Sequence, residues 1–399
     1  MAKIMVIAGG DWQIELIKKA KKLGHTVICS NLYKDSPAFP YSDFCEVANV
    51  LDKETNLKIA QKYQPDAIIS DQSDIAVPTV AYLNEKMGLR GIGTELASLF
   101  SDKSKQRVFC KKHGISVPDF KLCSTYEEAA SFFENYEKAI IKPIDSQSSR
   151  GVFTITKKED IKEHMEETLA WSNCRKQFLI EQYVSGDEFT IDGMIVNGKY
   201  HPMTISIKEM YEQNPNVSRM QTYSYKHPVY DYDQMREQNR LLIETAGLPF
   251  GLCHSEYKCE NGRFYLIESG ARGGGSNLSG KIVPFMSGLD NYEFLIRQAL
   301  DEKIDLPVFD KEYLENHFSI MRFFDFGVGT VDKVNGKEVL ESTSNMIDFQ
   351  LNVKPGQVLE PLKFGRMRPG HFIIGGTDFE ALKIQMTDIL DKVRVTFKK

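Results

Sequence analysis

The chain reads as a mixed α/β and α+β protein: a doubly wound parallel unit, then an α+β middle, then a β-rich end. Three observations carry that reading. From Lys3 to Gly88, short apolar runs alternate with amphipathic stretches, the pattern of parallel strands joined by crossover helices. Between Phe178 and Gly270, period-two runs are broken at Ser185-Gly186, Asn197-Gly198 and Asn261-Gly262, which are turn signals between paired strands. Beyond His317, further β-patterned runs are punctuated by Asn335-Gly336 and Pro355-Gly356. A length of 399 residues also exceeds what one core holds together.

Taken in order, residues 3–8 are expected as a strand, 12–23 as a helix and 25–30 as a second strand. A helix over 56–64, a strand over 66–70 and a helix over 77–88 complete the first unit. Gly9 and Gly10 fit a tight strand-to-helix turn; without GxGxxG they do not make a dinucleotide fingerprint. A charged helix follows over 101–114, with Ser101 or Asp102 as its N-cap. Helices are expected over 126–135, 158–170, 234–245 and 291–300, strands over 139–142 and 151–156, and a last helix over 379–393. Residues 210–227 show neither period and are rich in Asn, Ser and Tyr, so a long functional loop is expected there.

Composition narrows the classes of function. Hydrophobic residues make up 42% and charged residues 26%, and the net charge is −5. That is ordinary for a globular protein and gives no general reason to expect nucleic acid as a partner, local basic patches aside. The apolar run at residues 4–10 is too short to span a membrane and lacks a cleavage pattern, so no membrane partner is expected. Seven scattered cysteines form no CxxC pair, and no HExxH is present. Neither a disulfide framework nor a zinc site is indicated, and a reducing cytoplasm is the expected compartment.

The densest chemistry lies in residues 251–275. Leu252, His254, Glu256 and Lys258 share one strand face, and Phe264, Leu266, Glu268 and Gly270 share a face of the next. A strict two-residue turn at Asn261-Gly262 would set Glu256 against Ile267 and part the two acids. An odd-count turn over 260–262, closed by a glycine bulge, brings both to one face and is the expected form. Two carboxylates beside apolar neighbours call for a cation, and Mg²⁺ carrying nucleotide phosphates takes one or two protein carboxylates. Earlier, Lys142 closes an apolar strand before the small polar loop 145–151, suited to phosphate oxygens. An extended segment, 178–184, leads to Glu188, within reach of a ribose, and Lys103 opens its helix. Each of these signals is weak alone.

In this order and spacing the set resembles the ATP-grasp superfamily, in particular its carboxylate–amine ligases. The resemblance covers nearly the whole chain. It implies a doubly wound pre-ATP-grasp domain (1–97), an ATP-grasp core of two α+β subdomains (98–180 and 181–305) and a C-terminal β-rich domain (306–399). It implies ATP contacts from Lys103, Lys142, Ser148, Ser149, Gly151, Glu181, Gln182, Val184 and Glu188. Glu256 and Glu268 would hold Mg²⁺, with Mn²⁺ as the alternative ion. Arg272 would be the catalytic clamp on the carboxylate and on intermediate charge, aided by N–H groups of Gly273, Gly274 and Gly275, with Ser276 at the substrate. Arg322 and Arg366 stand next for that role. The implied reaction activates a small-molecule carboxylate as an acylphosphate for attack by an amine. A homodimer is compatible with it. A carboxylase or carbamoyl-phosphate-type enzyme and a nucleotide binder without turnover are the alternatives. Gly270 stands where many relatives carry a metal-binding asparagine, and Ser148 where the phosphate loop commonly has glycine.

Overall fold

The computed structural model describes residues 1–146 and 149–398, with Arg366 described by its backbone alone. Ser148 lies outside the described residues. The first unit is a four-stranded parallel sheet in the order Phe44–Val47, Thr26–Asn31, Lys3–Ile7, Ala67–Ile69. Its central strands are buried because helices Ile14–Lys22, Lys53–Tyr63 and Val77–Met87 cover it, as expected of a parallel sheet. The edge strand Phe44–Val47, short and mostly exposed, has no strong apolar pattern and escaped the sequence reading.

The helix Lys103–Lys112 is capped by Asp102, whose carboxylate accepts from the N–H groups of Ser104 and Lys105. It leads into a four-stranded antiparallel sheet ordered Phe120–Cys123, Phe178–Gln182, Ala139–Pro143, Phe153–Ile155. Helices Tyr126–Phe133 and Lys158–Ala170 pack on it.

The largest sheet has eight strands, in the order Arg263–Gly270, Gly251–Glu260, Asp187–Val196, Lys199–Tyr211, Asn214–Ser224, Phe318–Phe323, Gly370–Gly376, Met346–Leu351. One expectation is corrected here. Residues 210–227 are not a loop: Lys199–Tyr211 and Asn214–Ser224 form a hairpin with irregular register at Met210. Irregular pairing at the turn blurs the two-residue period that sequence reading needs. The C-terminal segment is β-rich as expected, and three of its strands extend the central sheet. The remaining pair, Gly329–Asn335 and Arg394–Phe397, joins Val358–Leu359 in a small sheet, while helix Phe379–Lys392 packs on the central-sheet strands Phe318–Phe323 and Gly370–Gly376. Among the described residues, no helix is long and apolar enough to cross a membrane.

The Ser185-Gly186 break lets the extended segment turn into the central sheet. Gly186 has φ of 91°, and a Cβ there would be driven into the carbonyl of Cys259. Gly186→Ala should therefore destabilise the fold by about 1–3 kcal/mol. A denaturant midpoint unchanged from wild type would contradict this origin of the turn.

Candidate active site

The two acids of the hairpin Gly251–Glu260/Arg263–Gly270 face each other directly, Glu256 opposite Glu268. The route differs from the expected one. The turn is the two-residue form, with Asn261 and Gly262 both at positive φ and Glu260 opposite Arg263. The odd residue is Ile267, left unpaired between the Tyr257–Leu266 and Glu256–Glu268 pairs, a bulge inside the strand. Phe264 and Leu266 consequently do not share the face of Glu268; they pack with Tyr257 and Cys259 in the core behind it. The bulge carbonyl accepts from Arg107 Nη2 at 2.6 Å, and Gln106 bonds Ser269 through both its N–H and carbonyl groups. The helix Lys103–Lys112 thus clamps the strand where the bulge turns Glu268 outward.

Each acid carries a lysine. Lys103 Nζ lies 2.8 Å from Glu268, and it also donates to the Ser146 carbonyl. Lys208 Nζ lies 3.1 Å from Glu256 and 2.6 Å from Glu188. Burial would raise the Glu256 carboxyl, yet Lys208 and His254 hold it well below the usual carboxylate range. His254 stands between Asp192, at 2.9 Å, and Glu256, at 3.5 Å. Burial opposes its charge, but Asp192 outweighs burial and pushes the imidazole up to about 9. Lys208, His254 and Asp192 were missed in the sequence. Lys208 alternates with Ser206 on a strand face, a signal that becomes visible only once 199–211 is recognised as a strand.

Lys142 and Glu181 meet in the neighbouring sheet. Glu181 is buried, with Lys142 Nζ at 2.7 Å and Arg107 Nε at 2.8 Å. Its side chain is therefore wholly engaged inside the protein, and its strand is paired on both sides, to Phe120 and Ile140. Gln182 N–H donates to Asp119 and Tyr183 N–H to Lys138, while Val184, buried beyond the strand, opens the connection to Glu188. Gly151 sits against Trp171 and Pro143 rather than at an open loop tip, and Ser149 reaches the main cavity.

Arg272 emerges from the strand's end as expected, but its fork is already held. Nε and Nη2 donate to the two oxygens of Asp74, each at 2.8 Å, and Nη1 donates to the Gly273 carbonyl. Of five guanidinium N–H groups, two remain. The glycines after it also differ from expectation. Gly273 N–H donates to Asp71 and Gly274 N–H to Asp192, so neither is available to an oxyanion. Gly275 and Ser276 do line the cavity. Gly270 has a local reason as well: a Cβ there would lie 2.9 Å from Asp74 Oδ1, so the Asp74–Arg272 pair fills the space that an asparagine would use.

Glu256, Glu188, Lys208, His254 and Arg272 border a cavity of about 630 Å³, which Trp12, Gln72, Phe323 and Arg368 also line; Glu268 stands opposite Glu256 but is not among the lining residues. Among the described residues, no group of three or more His, Cys, Asp or Glu side chains could hold a metal alone. Two facing carboxylates suit Mg²⁺, which keeps its other positions for water and phosphate oxygens.

Residues 136–279 match the family model for the ATP-grasp domain, and residues 322–398 match L-amino acid ligase C-terminal domain 2. The chain is 26% identical over 188 residues to the formate-dependent phosphoribosylglycinamide formyltransferase of Trichormus variabilis, covering 46% of this chain and 48% of that one. The chain thus spans about half the length of such curated relatives. It is 25% identical to the alanine–anticapsin ligase of Bacillus subtilis over 74% of this chain and 70% of that one. In fold it is similar to an L-amino acid ligase from Bacillus licheniformis, with a TM-score of 0.83, 18% identity, and 100% and 99% of the two chains covered.

Burial pushes the Lys142 ammonium down to about 8, against the pull of Glu181. Below that pH the lysine is charged, above it neutral, and a bound phosphate favours the charged form. Nucleotide binding between pH 8 and 9 should therefore take up a proton, and Lys142→Met should abolish the uptake. Calorimetric titration in buffers of different ionisation enthalpy measures it; equal uptake in the variant would remove Lys142 from the phosphate site.

Proposed function

We propose, from its membership of the ATP-grasp superfamily, that this chain is an ATP-dependent carboxylate–amine ligase. It would transfer the γ-phosphoryl group of ATP to a small-molecule carboxylate. An amine then attacks the acylphosphate, giving an amide or peptide bond, ADP and phosphate. The observation that carries this reading is the register that sets Glu256 against Glu268 with Lys208 and Lys103 beside them, Glu256 and Lys208 lining a cavity shared with Arg272.

In this reading Lys103 and Lys142 hold phosphate oxygens, with Ser149 and Gly151 on the loop between them. The backbone from Glu181 through Gln182 to Val184 meets the adenine, and Glu188 meets the ribose. Glu256 and Glu268 hold Mg²⁺, which supplies charge neutralisation to the phosphates. Arg272 is fixed by Asp74 and offers its two remaining N–H groups to the carboxylate and to developing oxyanion charge. The cavity size suits small metabolites. The match of residues 322–398 to an L-amino acid ligase domain favours amino acids among them.

Glu256→Ala and Glu268→Ala should each abolish ADP formation with the fold intact by circular dichroism; wild-type turnover in both would sink the reading. Arg272→Lys keeps the charge but loses the fork. It should retain ATP affinity while ligation falls on the order of 100-fold or more, as when an oxyanion donor is removed. Loss of ATP binding instead would place Arg272 with the nucleotide and not with the carboxylate.

A further inference from the structure

The wall of the cavity built by the C-terminal strands carries a positive charge that the protein itself does not neutralise. Arg368 follows the short turn Gly365–Met367 and lines the cavity beside Phe323, Gln350 and His371. Its guanidinium lies 3.5 Å from the centre of the Phe323 ring. Nε donates to the Gly365 carbonyl at 2.7 Å and Nη1 to the Ser218 carbonyl at 3.2 Å. Nη2 makes no hydrogen bond among the described residues. Burial lowers its pKa to about 10, and the opposing influence comes from the neutral phenol of Tyr211, not from a carboxylate.

The surroundings do not supply the missing anion. Arg322 Nη1 is turned to the carbonyls of Arg219 and Phe323, and Arg219 takes the nearby Glu209. Asp348, on the neighbouring strand, accepts from Asn277 at 2.8 Å and faces His371. An arginine stacked on an aromatic face, fixed through Nε and Nη1, holds its last edge in one direction at little entropic cost. Such a group is built to receive an anion, because an unpaired charge at a partly dry wall is otherwise unfavourable.

We propose that Arg368, held over Phe323, is an anion subsite that seats the carboxylate of the incoming amine, so that the nucleophile is an amino acid and not a simple amine. The assignment rests on the ligase reading above and adds to it the substrate class of the second reactant. A carboxylate fits better than a phosphate. One guanidinium edge beside the neutral amides of Gln221 and Gln350 matches a monoanion, whereas a phosphate dianion would draw on Arg322 and Arg219, which are committed elsewhere. The subsite lies on the C-terminal strands, while Glu256, Glu268 and Arg272 lie on and just beyond the hairpin at the other edge of the central sheet. The amine would then be tethered by its carboxylate at one wall with its nitrogen free to reach the other.

The test uses the full chain loaded with MgADP, so that binding is read without turnover. Wild type, Arg368→Met and Arg368→Lys are titrated calorimetrically with the L-amino acids, their carboxamides and O-phosphoethanolamine; ADP release from ATP is measured separately. For at least one amino acid, wild type should prefer the free acid over the carboxamide by about 10-fold or more. Arg368→Met should erase that preference with MgADP affinity unchanged, and Arg368→Lys should keep part of it. A purely structural arginine would lower both affinities together and leave their ratio intact. A preference that persists in Arg368→Met, or the absence of any anion-dependent probe in wild type, overturns the proposal. Stronger, Arg368-dependent binding of O-phosphoethanolamine than of every amino acid overturns the carboxylate and leaves a phosphate in its place. Wild type that binds the acids through Arg368 yet releases no ADP with any pair would retain the subsite and overturn the ligase reading alone.

Discussion

The site depends on one buried ionic cluster, in which Glu181 takes Arg107 on both oxygens, Nε on one and Nη2 on the other, and Lys142 on the second of them. All three side chains are nearly or wholly removed from solvent, and they come from three elements: the helix Lys103–Lys112 and two adjacent strands of the smaller sheet. Taking such charges from water is costly, and removing any one partner leaves another buried without compensation. The arrangement is therefore close to all-or-none. Arg107 extends it further, since its Nη2 holds the carbonyl of the bulge at Ile267. The bulge sets Glu268 on the face of Glu256. Lys142 and the facing carboxylates of Glu256 and Glu268 are thus positioned through a single guanidinium.

That cluster also shows where sequence reading succeeds and where it stops. Helix positions were legible: Lys158–Ala170 and Phe379–Lys392 agree with expectation almost to the residue, and Asp102 caps its helix. The motif order from Lys103 to Arg272 pointed to the ATP-grasp superfamily, and the family models and the fold agree. The bulge was not legible. Ile267 continues the alternation of its strand, and what makes it bulge is a partner 160 positions earlier. Asp74 was invisible for the same reason, lying 198 positions from Arg272. Pairing at such separations is set by the packing of whole units, not by any local pattern. The hairpin at 199–224 was lost to its own irregular register, and Lys208 and the strand face of Gln221 were lost with it. Between Arg366 and Arg368, composition offers no means of choosing; the turn at Gly365–Met367 turns Arg368 to the cavity.

The cavity separates its charges. Toward the hairpin, acids alternate with bases: Glu188, Lys208, Glu256 and the His254–Asp192 pair form a chain in which each charge touches an opposite one. Such a chain can tolerate a new cation or anion by exchange of partners, because its central members, Lys208, Glu256 and His254, each have two opposite charges within reach. Toward the C-terminal strands the balance is one-sided, with no acid paired to Arg368 among the described residues. A ligand that spans the cavity meets a neutralised, exchangeable end and a fixed cationic one.

The glycines at 273–275 form a junction. A Cβ at Gly273 would stand 2.9 Å from Asp71 Oδ1, and one at Gly274 would stand 2.9 Å from both Asp192 Oδ1 and His254 Nδ1. Their backbone must approach these carboxylates closely, and only glycine permits it. Asp71 comes from the first unit, where Tyr292 also donates to it, and Asp192 from the central sheet. The segment therefore binds the parallel domain to the central sheet through its own N–H groups, and Arg272 reinforces the same junction through Asp74. The orientation of Arg272 is set by that docking: its aim into the cavity depends on the pose of the first unit as much as on its own strand. This explains why an arginine in such a position carries its acid with it, and why the first unit, which contributes few polar groups to the hairpin end, still belongs to the site.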